Sequence, residues 1–234
     1  MTPDPAFDRY AGNYDSALNE GLVLTGESRD FFARRRVEIV ADYCTRFQLP
    51  TASICDYGCG TGATLPVLKS LLGSARILGL DVSSDSLATA RNQVALSGLE
   101  LATPGQVVTA SASCDVVYCN GVFHHIPPAE RLAAARQITR LLRPGGYWFF
   151  WENNPLNPGT RWVMARIPFD RDAITLRSGE ARRLGEAAGA VWRGTTFHFY
   201  FPRALRALRR AESLLTQVPL GGQYLVVLQR PING

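Results

Sequence analysis

The strongest constraint on the fold is a short apolar segment that runs directly into closely spaced glycines. The segment 54–57 is followed by glycines at intervals of two residues, Gly58, Gly60 and Gly62. Because glycine lacks a Cβ atom, such a loop can adopt positive φ and let the backbone approach a ligand closely. A second apolar segment, 76–80, ends in Asp81, where a carboxylate can accept both hydroxyls of a ribose. The two elements predict half of a nucleotide-binding site.

The spacing of the glycines distinguishes between two kinds of cofactor. A dinucleotide fingerprint reads G-x-G-x-x-G and places a pyrophosphate at a helix N-terminus. This chain reads G-x-G-x-G, and Asp56 stands two residues before the first glycine. The shorter spacing disfavours a pyrophosphate and therefore a nicotinamide cofactor.

The pattern resembles motif I of the class I S-adenosylmethionine-dependent methyltransferases, in particular the small-molecule branch called type 11. Three further motifs follow in the order of that family: Asp81 after the second strand, the segment 120–127 (NGVFHHIP) and the segment 141–146 (LLRPGG). The resemblance implies an α/β fold with a doubly wound, seven-stranded, mostly parallel sheet. The implied strand order is 3-2-1-4-5-7-6, with strand 7 antiparallel and a helical lid at the N-terminus.

The resemblance also implies S-adenosyl-L-methionine as the cofactor and a set of residues that bind it. These are Tyr14, Asp56, Gly58, Cys59, Gly60, Asp81, Val82 and Asn120. The chain departs from the family at the third strand, where the segment 99–105 lacks the acidic residue that binds adenine in many relatives. Backbone groups or a side chain within 103–108 are the expected substitutes.

Two residues are candidate bases for an acceptor that must lose a proton. His125 follows the fourth strand, at the sheet edge where ligands bind in open α/β folds, and Glu152 ends the fifth. For each, a structural role, bracing the loop or capping a helix, is the alternative. Substrate contacts are expected from Tyr10, His124, Asn153 and Arg161. Arg161, with Arg166 and Arg171, suggests an anionic acceptor, although solvated arginines are the commoner explanation.

The length of 234 residues and the hydrophobic content of 46% suit one α/β domain. We expect a lid over 1–50, a cofactor-binding half over 51–152 and a substrate-side half over 153–234. The aromatic-rich region 8–37 is either this lid or a helix packed on the core. The net charge of +5 comes from scattered arginines, which does not predict a nucleic-acid surface. A basic helix over 202–215 can be solvated or rest on anionic lipid, and we expect its Leu205 and Leu208 to pack on the sheet.

The five cysteines lack paired C-x-x-C spacing and nearby histidines, so we expect reduced core residues and no metal site. The N-terminal residues do not resemble a signal peptide, and no apolar run approaches the ~18 residues of a membrane span. We expect a cytoplasmic location, a small-molecule substrate and a monomer or homodimer. We expect no nucleic-acid partner and no membrane contact.

Strands are predicted near 53–57, 76–81, 99–102, 115–119, 146–151, 194–201 and 223–229. One helix is predicted to have Ser84 or Asp85 as its N-cap and to run to Leu96, and further helices are predicted over 129–142, 178–188 and 202–215.

Four function classes remain open from the sequence. The leading hypothesis is an enzyme that methylates an O, N or C nucleophile of a small molecule of specialised, lipid or sugar metabolism. A non-catalytic module that binds S-adenosylmethionine is the alternative. A nicotinamide oxidoreductase is disfavoured by the glycine spacing. Methylation of RNA, DNA or protein is disfavoured because Asn120-Gly121-Val122-Phe123 stands where an Asn-Pro-Pro-Tyr type motif would be expected.

Overall fold

The computed structural model describes residues 22–106, 113–170 and 172–232. Seven strands form one sheet in the order β3-β2-β1-β4-β5-β7-β6, and β7 runs antiparallel to both of its neighbours. The strands are β1 (Ser53–Tyr57), β2 (Arg76–Leu80), β3 (Leu99–Ala102), β4 (Cys114–Asn120), β5 (Leu142–Asn153), β6 (Val191–His198) and β7 (Gln223–Gln229). The predicted fold class and strand order are confirmed.

Helices cover both faces of this sheet. The α-helices are α1 (Arg29–Arg46), α2 (Leu65–Leu72), α3 (Ser84–Gln93), α4 (Arg131–Leu141), α5 (Pro158–Met164), α6 (Ser178–Ala187) and α7 (Glu212–Leu215). Three 3₁₀ helices lie over Val23–Thr25, Pro168–Asp170 and Arg203–Ala211.

The central strands are buried on both faces, which explains their nearly continuous apolar sequence. Along β5 the side chains alternate between two cores, because successive residues of a strand point to opposite faces. Trp148 and Phe150 pack with Phe123 on one face, whereas Phe149 and Trp151 belong to the core on the other. The sheet is thereby held rigidly under the loops at its carboxyl edge.

The helix after β2 begins one residue earlier than predicted. Ser83, and not Ser84 or Asp85, is the N-cap of α3, and its hydroxyl accepts the Ser86 N–H at 3.1 Å. The helix also ends at Gln93 and not at Leu96. The cap lies two residues after Asp81, so the start of α3 is coupled to the predicted ligand-binding carboxylate.

The predicted helix over 202–215 is instead a 3₁₀ helix followed by the short α7. Leu205 and Leu208 are 47% and 48% exposed, so the expectation that they pack on the sheet is wrong. A 3₁₀ helix repeats every three residues, and Arg209, one residue after Leu208, occupies the face that meets the protein. Its guanidinium donates to the Phe201 carbonyl and pairs with Glu27 at 2.9 Å.

All five cysteines are buried and free, as the sequence predicted for reduced core residues. Within the described ranges, no helix has both the length and the apolarity that crossing a membrane requires.

Candidate active site at the carboxyl edge of the sheet

The glycine loop leaves β1 and is fastened to the end of β2. The N–H groups of Gly58 and Cys59 both donate to the Leu80 carbonyl, at 2.7 and 2.9 Å. Gly58 has φ of +82°, and a Cβ atom there would overlap the side chain of Val122. Gly60 has φ of +52°, and apart from its chain neighbours no atom of the described residues lies within 4 Å of the position that its Cβ would take. The loop is therefore closely packed at Gly58 and open at Gly60.

Asp81 connects this loop to α3. One carboxylate oxygen accepts the Gly60 N–H at 2.8 Å and the other accepts the Ser83 N–H at 2.9 Å. The side chain is only partly buried, and Val82 beside it is also partly exposed. A carboxylate held in this way beside an open loop can accept hydrogen bonds from the hydroxyls of a ligand.

A buried carboxylate and a buried guanidinium lie close to this loop. Burial and the charge of Asp81 raise the pKa of Asp56 to about 7, while the charge of Arg36 opposes the shift. Arg36 is 7% exposed; it donates to the Tyr118 hydroxyl at 3.2 Å and to the Gln223 side-chain oxygen at 3.0 Å. No ion pair of Arg36 with an acid is recorded within the described residues. Since buried charges are normally paired, Arg36 can receive an anionic group of a ligand.

Asn120 ends β4 at the same edge. Its side-chain oxygen is buried and has no hydrogen-bond partner within the described part of the chain. Buried polar atoms are satisfied in the great majority of cases, so this oxygen is a ready acceptor for a donor group that enters the crevice. Asn120 and Gly121 also line a cavity of about 820 Å³.

Glu152 holds the loop after β4 that carries His124 and His125, here called the His-His loop. One carboxylate oxygen accepts the Phe123 N–H at 2.7 Å, and the other lies 2.6 Å from Nδ1 of His124. Glu152 is 1% exposed and is not among the residues that line the cavity. It therefore positions the loop and does not face the acceptor side.

The two histidines converge on Asp170 from the 3₁₀ helix Pro168–Asp170. Nε2 of His125 lies 3.3 Å from Oδ1 of Asp170, and Nε2 of His124 lies 3.6 Å from the same oxygen. Burial by itself lowers the pKa of His124, but Glu152 and Asp170 outweigh it and raise the pKa to about 10. Burial and the charge of His124 lower the pKa of His125.

Backbone contacts brace this cluster. The Ile174 N–H donates to the His124 carbonyl at 2.9 Å. Arg131, on α4, donates to the Ile126 carbonyl at 2.9 Å and also to the Ile174 carbonyl. One guanidinium therefore joins the His-His loop to the segment that carries Asp170.

The cavity opens beside the cluster and has a mixed lining. Asn153, Trp162 and Phe199 contribute amide and aromatic surface, and His124, His125 and Asp170 line it as well. Its arginines come from α1 and from the 3₁₀ helix Arg203–Ala211: Arg29, Arg35, Arg36, Arg209 and Arg210. The lining suits a molecule with an apolar body and a negative group.

The structure differs from the sequence prediction for Arg161 and Arg166, which were expected to favour an anionic acceptor. Arg161 and Arg166 are exposed and are not among the cavity-lining residues, because α5 presents Trp162 and Val163 to the cavity. The guanidinium of Arg166 lies over the Trp162 ring at 3.2 Å from its centroid. Arg171 lies outside the described residues, as do Tyr10 and Tyr14 with residues 1–21 of the predicted lid.

The sequence analysis missed two residues of the site. Arg36 stands in a run of three arginines, yet it falls on the buried stripe of α1 with Ala33, Val37 and Val40. The i, i+3, i+4, i+7 spacing of that stripe was a signal for it. Asp170 had no such signal, because only the tertiary fold brings its short 3₁₀ helix to the His-His loop.

Comparisons with known proteins agree with this arrangement. A family profile described as a methyltransferase domain matches residues 54–146. Ubiquinone biosynthesis O-methyltransferase of Sodalis glossinidius is 34% identical over 120 residues, which cover 49% of this chain and 46% of that protein. Trans-aconitate 2-methyltransferase of Deinococcus radiodurans is 37% identical over 97 residues, which cover 42% of this chain and 36% of that protein. The chain thus aligns with less than half the length of these curated relatives.

A solved structure is similar over nearly the whole chain. It belongs to a complex between the Trm112 methyltransferase activator of Haloferax volcanii and a methyltransferase, with a TM-score of 0.67, 19% identity, and coverage of 96% of this chain and 97% of that one. This similarity concerns the fold, which is also the fold predicted from the motifs. The matched profile spans β1 to the start of β5, including the glycine loop and Asn120, so this part of the chain is similar to a methyltransferase domain.

Proposed function

We propose that the chain transfers the methyl group of S-adenosylmethionine to a nucleophilic atom of a small, anionic molecule. The observation that carries this proposal is the buried side-chain oxygen of Asn120, which has no hydrogen-bond partner among the described residues and lies at the carboxyl end of β4 in the crevice beside the glycine loop. An oxygen in this position is matched to the ammonium group of an amino acid. The methionine part of the cofactor supplies such a group.

The other groups at this edge fit the remaining parts of the cofactor. The carboxylate of Asp81 would hold the ribose, and the open space over Gly60 would admit the ligand against the backbone. The buried Arg36, which has only neutral hydrogen-bond partners within the described residues, would pair with the cofactor's carboxylate. The negative charge of Asp56 would favour the cationic groups. When bound, the cofactor supplies an electrophilic methyl group on a sulfonium.

The protein's task in such a transfer is to align, to exclude water and to accept a proton. The acceptor atom forms its bond to the methyl carbon as the sulfur–carbon bond breaks, and the electron pair of that bond stays on sulfur. The acceptor is placed in the cavity beside His125, whose side chain is 16% exposed. An acceptor hydroxyl or carbon acid would lose its proton to this cluster, while Glu152 keeps the His124 ring in place.

The charge of the cavity favours an anionic acceptor. Its described lining carries five arginines against Asp170 and Glu212. Arg35 pairs with Glu38 and Arg209 pairs with Glu27, whereas Arg210 forms no ion pair within the described residues and is the best candidate to meet the acceptor's negative group. A similar protein is named for trans-aconitate, an organic acid. A carboxylate or phosphate ester with an apolar body is the proposed class.

Calorimetric titration with S-adenosylhomocysteine tests the cofactor half of the proposal. We expect the wild type to bind, Asn120→Ala to bind at least about tenfold more weakly, and Asn153→Ala to bind like the wild type. Asn153 is the matched control because its amide lines the same cavity but its oxygen already accepts from Gln223 at 2.9 Å. Absence of binding to the wild type at millimolar ligand refutes the proposal.

The catalytic half is tested by methyl transfer from labelled S-adenosylmethionine to a panel of carboxylates and phosphate esters. Transfer to a panel member that falls in Arg210→Gln supports an anionic acceptor. Cofactor binding without transfer to any member of the panel favours the non-catalytic binding module.

A further inference from the structure

The cluster of His124, His125 and Asp170 has more order than an ordinary ion pair requires. Each residue offers one ligand atom, and the three atoms lie within 4.8 Å of one another. The N···O separations of 3.3 and 3.6 Å to a single carboxylate oxygen are long for hydrogen bonds, whose usual range ends near about 3.2 Å. Both imidazole nitrogens are therefore close to the Asp170 oxygen but too far from it for short hydrogen bonds.

These separations match the spacing of ligands around a small metal ion. A tetrahedral ion with ligand bonds of about 2.05 Å separates neighbouring ligand atoms by about 3.3 Å, since the tetrahedron edge is about 1.63 times the bond length. Two imidazole nitrogens and one carboxylate oxygen are a donor set preferred by divalent transition metals over Mg²⁺ or Ca²⁺. The donor set is preformed in this structure.

The surroundings also fit a metal site. Glu152 lies 2.6 Å from Nδ1 of His124, which leaves Nε2 directed towards Asp170. A carboxylate behind a ligating histidine is the usual outer support of such a site, because it fixes the ring and increases its basicity. Glu152 and Asp170 are both buried. A divalent cation would balance the negative charge of these two buried carboxylates.

Access and an open position are present as well. His124, His125 and Asp170 line the 820 Å³ cavity, so an ion can enter from it. Three protein ligands leave at least one position of a tetrahedral ion for water or substrate. The cavity is where the acceptor is expected.

We propose that His124, His125 and Asp170 form a binding site for a divalent transition-metal ion, with Glu152 as its outer support and an open position facing the acceptor cavity. A hydroxyl bound at that position loses its proton more readily, because the cation stabilises the oxyanion. The proton would pass to water in the cavity, so His125 would act as a ligand of the ion and not as the base. Only this catalytic consequence rests on the proposed function. The sequence analysis expected no metal site, because it considered cysteine spacing and not histidines and an aspartate from separate loops.

Cobalt and zinc titrations of chelator-treated protein test the site. We expect one equivalent of Co²⁺ with the visible absorption of a four- or five-coordinate ion, and displacement by one equivalent of Zn²⁺ followed by calorimetry. Asp170→Asn and His125→Gln should each weaken binding by about 100-fold or more, and Glu152→Gln by about 10–100-fold. His198→Gln is the matched control, because His198 lies on β6 outside this cluster, and it should bind like the wild type.

Folding of each variant is checked by circular dichroism and thermal melting. His125→Gln is the second variant in case Asp170→Asn does not fold, because the His125 side chain is the most exposed of the three. No Co²⁺ binding by the wild type at millimolar ion, or equal binding by folded His125→Gln, overturns the proposal. Parallel titration with S-adenosylhomocysteine separates the two hypotheses: binding of the nucleoside without the metal rejects only the metal site, and the reverse rejects only the proposed cofactor.

Discussion

A single added methyl group at Gly60 tests whether the open space over the glycine loop belongs to the cofactor. Gly60→Ala adds a Cβ that meets no protein atom within 4 Å, but φ is +52°, a conformation that L-residues adopt at a cost of about 1–2 kcal/mol. We expect the free energy of unfolding to fall by about that amount. If the cofactor lies against the loop, the methyl group also occupies its space, and affinity should fall at least tenfold, or about 1.4 kcal/mol.

Gly73→Ala is the matched control for this prediction. Gly73 has φ of +65°, no protein atom lies within 4 Å of its Cβ position, and it ends α2 away from the loop. The substitution should therefore cost the same 1–2 kcal/mol of stability and leave cofactor binding unchanged. Urea denaturation gives the stability, and calorimetry with S-adenosylhomocysteine gives the affinity. Wild-type affinity in Gly60→Ala would show that the space over Gly60 is solvent and that the placement of the cofactor is wrong.

Three further outcomes follow from burial and packing. The pKa of Asp56 is about 7, so binding of a cationic ligand at pH 7 should release up to about half a proton. This release should make the calorimetric enthalpy of binding depend on the ionisation enthalpy of the buffer, and Asp56→Asn should lack that dependence. Burial lowers the pKa of His198 from 6.5 to about 4, so this imidazole stays neutral in the folded protein at pH values where it is protonated in the unfolded chain. The free energy of unfolding should therefore keep its full value above pH 6.5 and fall by at most about 3 kcal/mol between pH 6.5 and 4. Urea titrations of His198→Gln should lack this loss. In α6, Gly185→Ala should destabilise the protein by about 1–3 kcal/mol, because its Cβ would overlap Leu228. Gly179→Ala should stabilise the protein by up to about 1 kcal/mol, because no atom of the described residues lies nearer than 3.7 Å to its Cβ position. Equal effects of the two substitutions in denaturation experiments would contradict the packing seen here.

Local sequence patterns predicted most of the sheet, because buried parallel strands appear in the sequence as short apolar runs and the loops that follow them need glycines. β1, β3 and β7 have the predicted bounds, and the strand order follows from the resemblance. Predictions failed where the local signal was ambiguous. The segment 202–215 has the composition of an amphipathic α-helix, but a 3₁₀ helix places Arg209 against the protein and Leu208 in solvent.

Part of the site was also readable from the chain. Gly60 and Asp81 meet as expected, because both follow neighbouring parallel strands and such loops share one edge of the sheet. Asn153 lines the cavity, but Arg161 does not, since helix α5 presents Trp162 and Val163 to it. Which face of a short helix meets a cavity depends on packing that sequence spacing alone does not specify.

The motifs of the sequence predicted the fold class and the strand order through their resemblance to a known family, and short-range glycine spacing and strand polarity predicted the half of the site built on β1 and β2. Tertiary structure alone decided the other half. It buried Glu152 beneath His124 and brought Asp170 within 3.6 Å of both imidazoles. Those contacts join residues about 30 to 45 positions apart, whose meeting depends on how loops pack above the sheet and leaves no periodic signal in the chain.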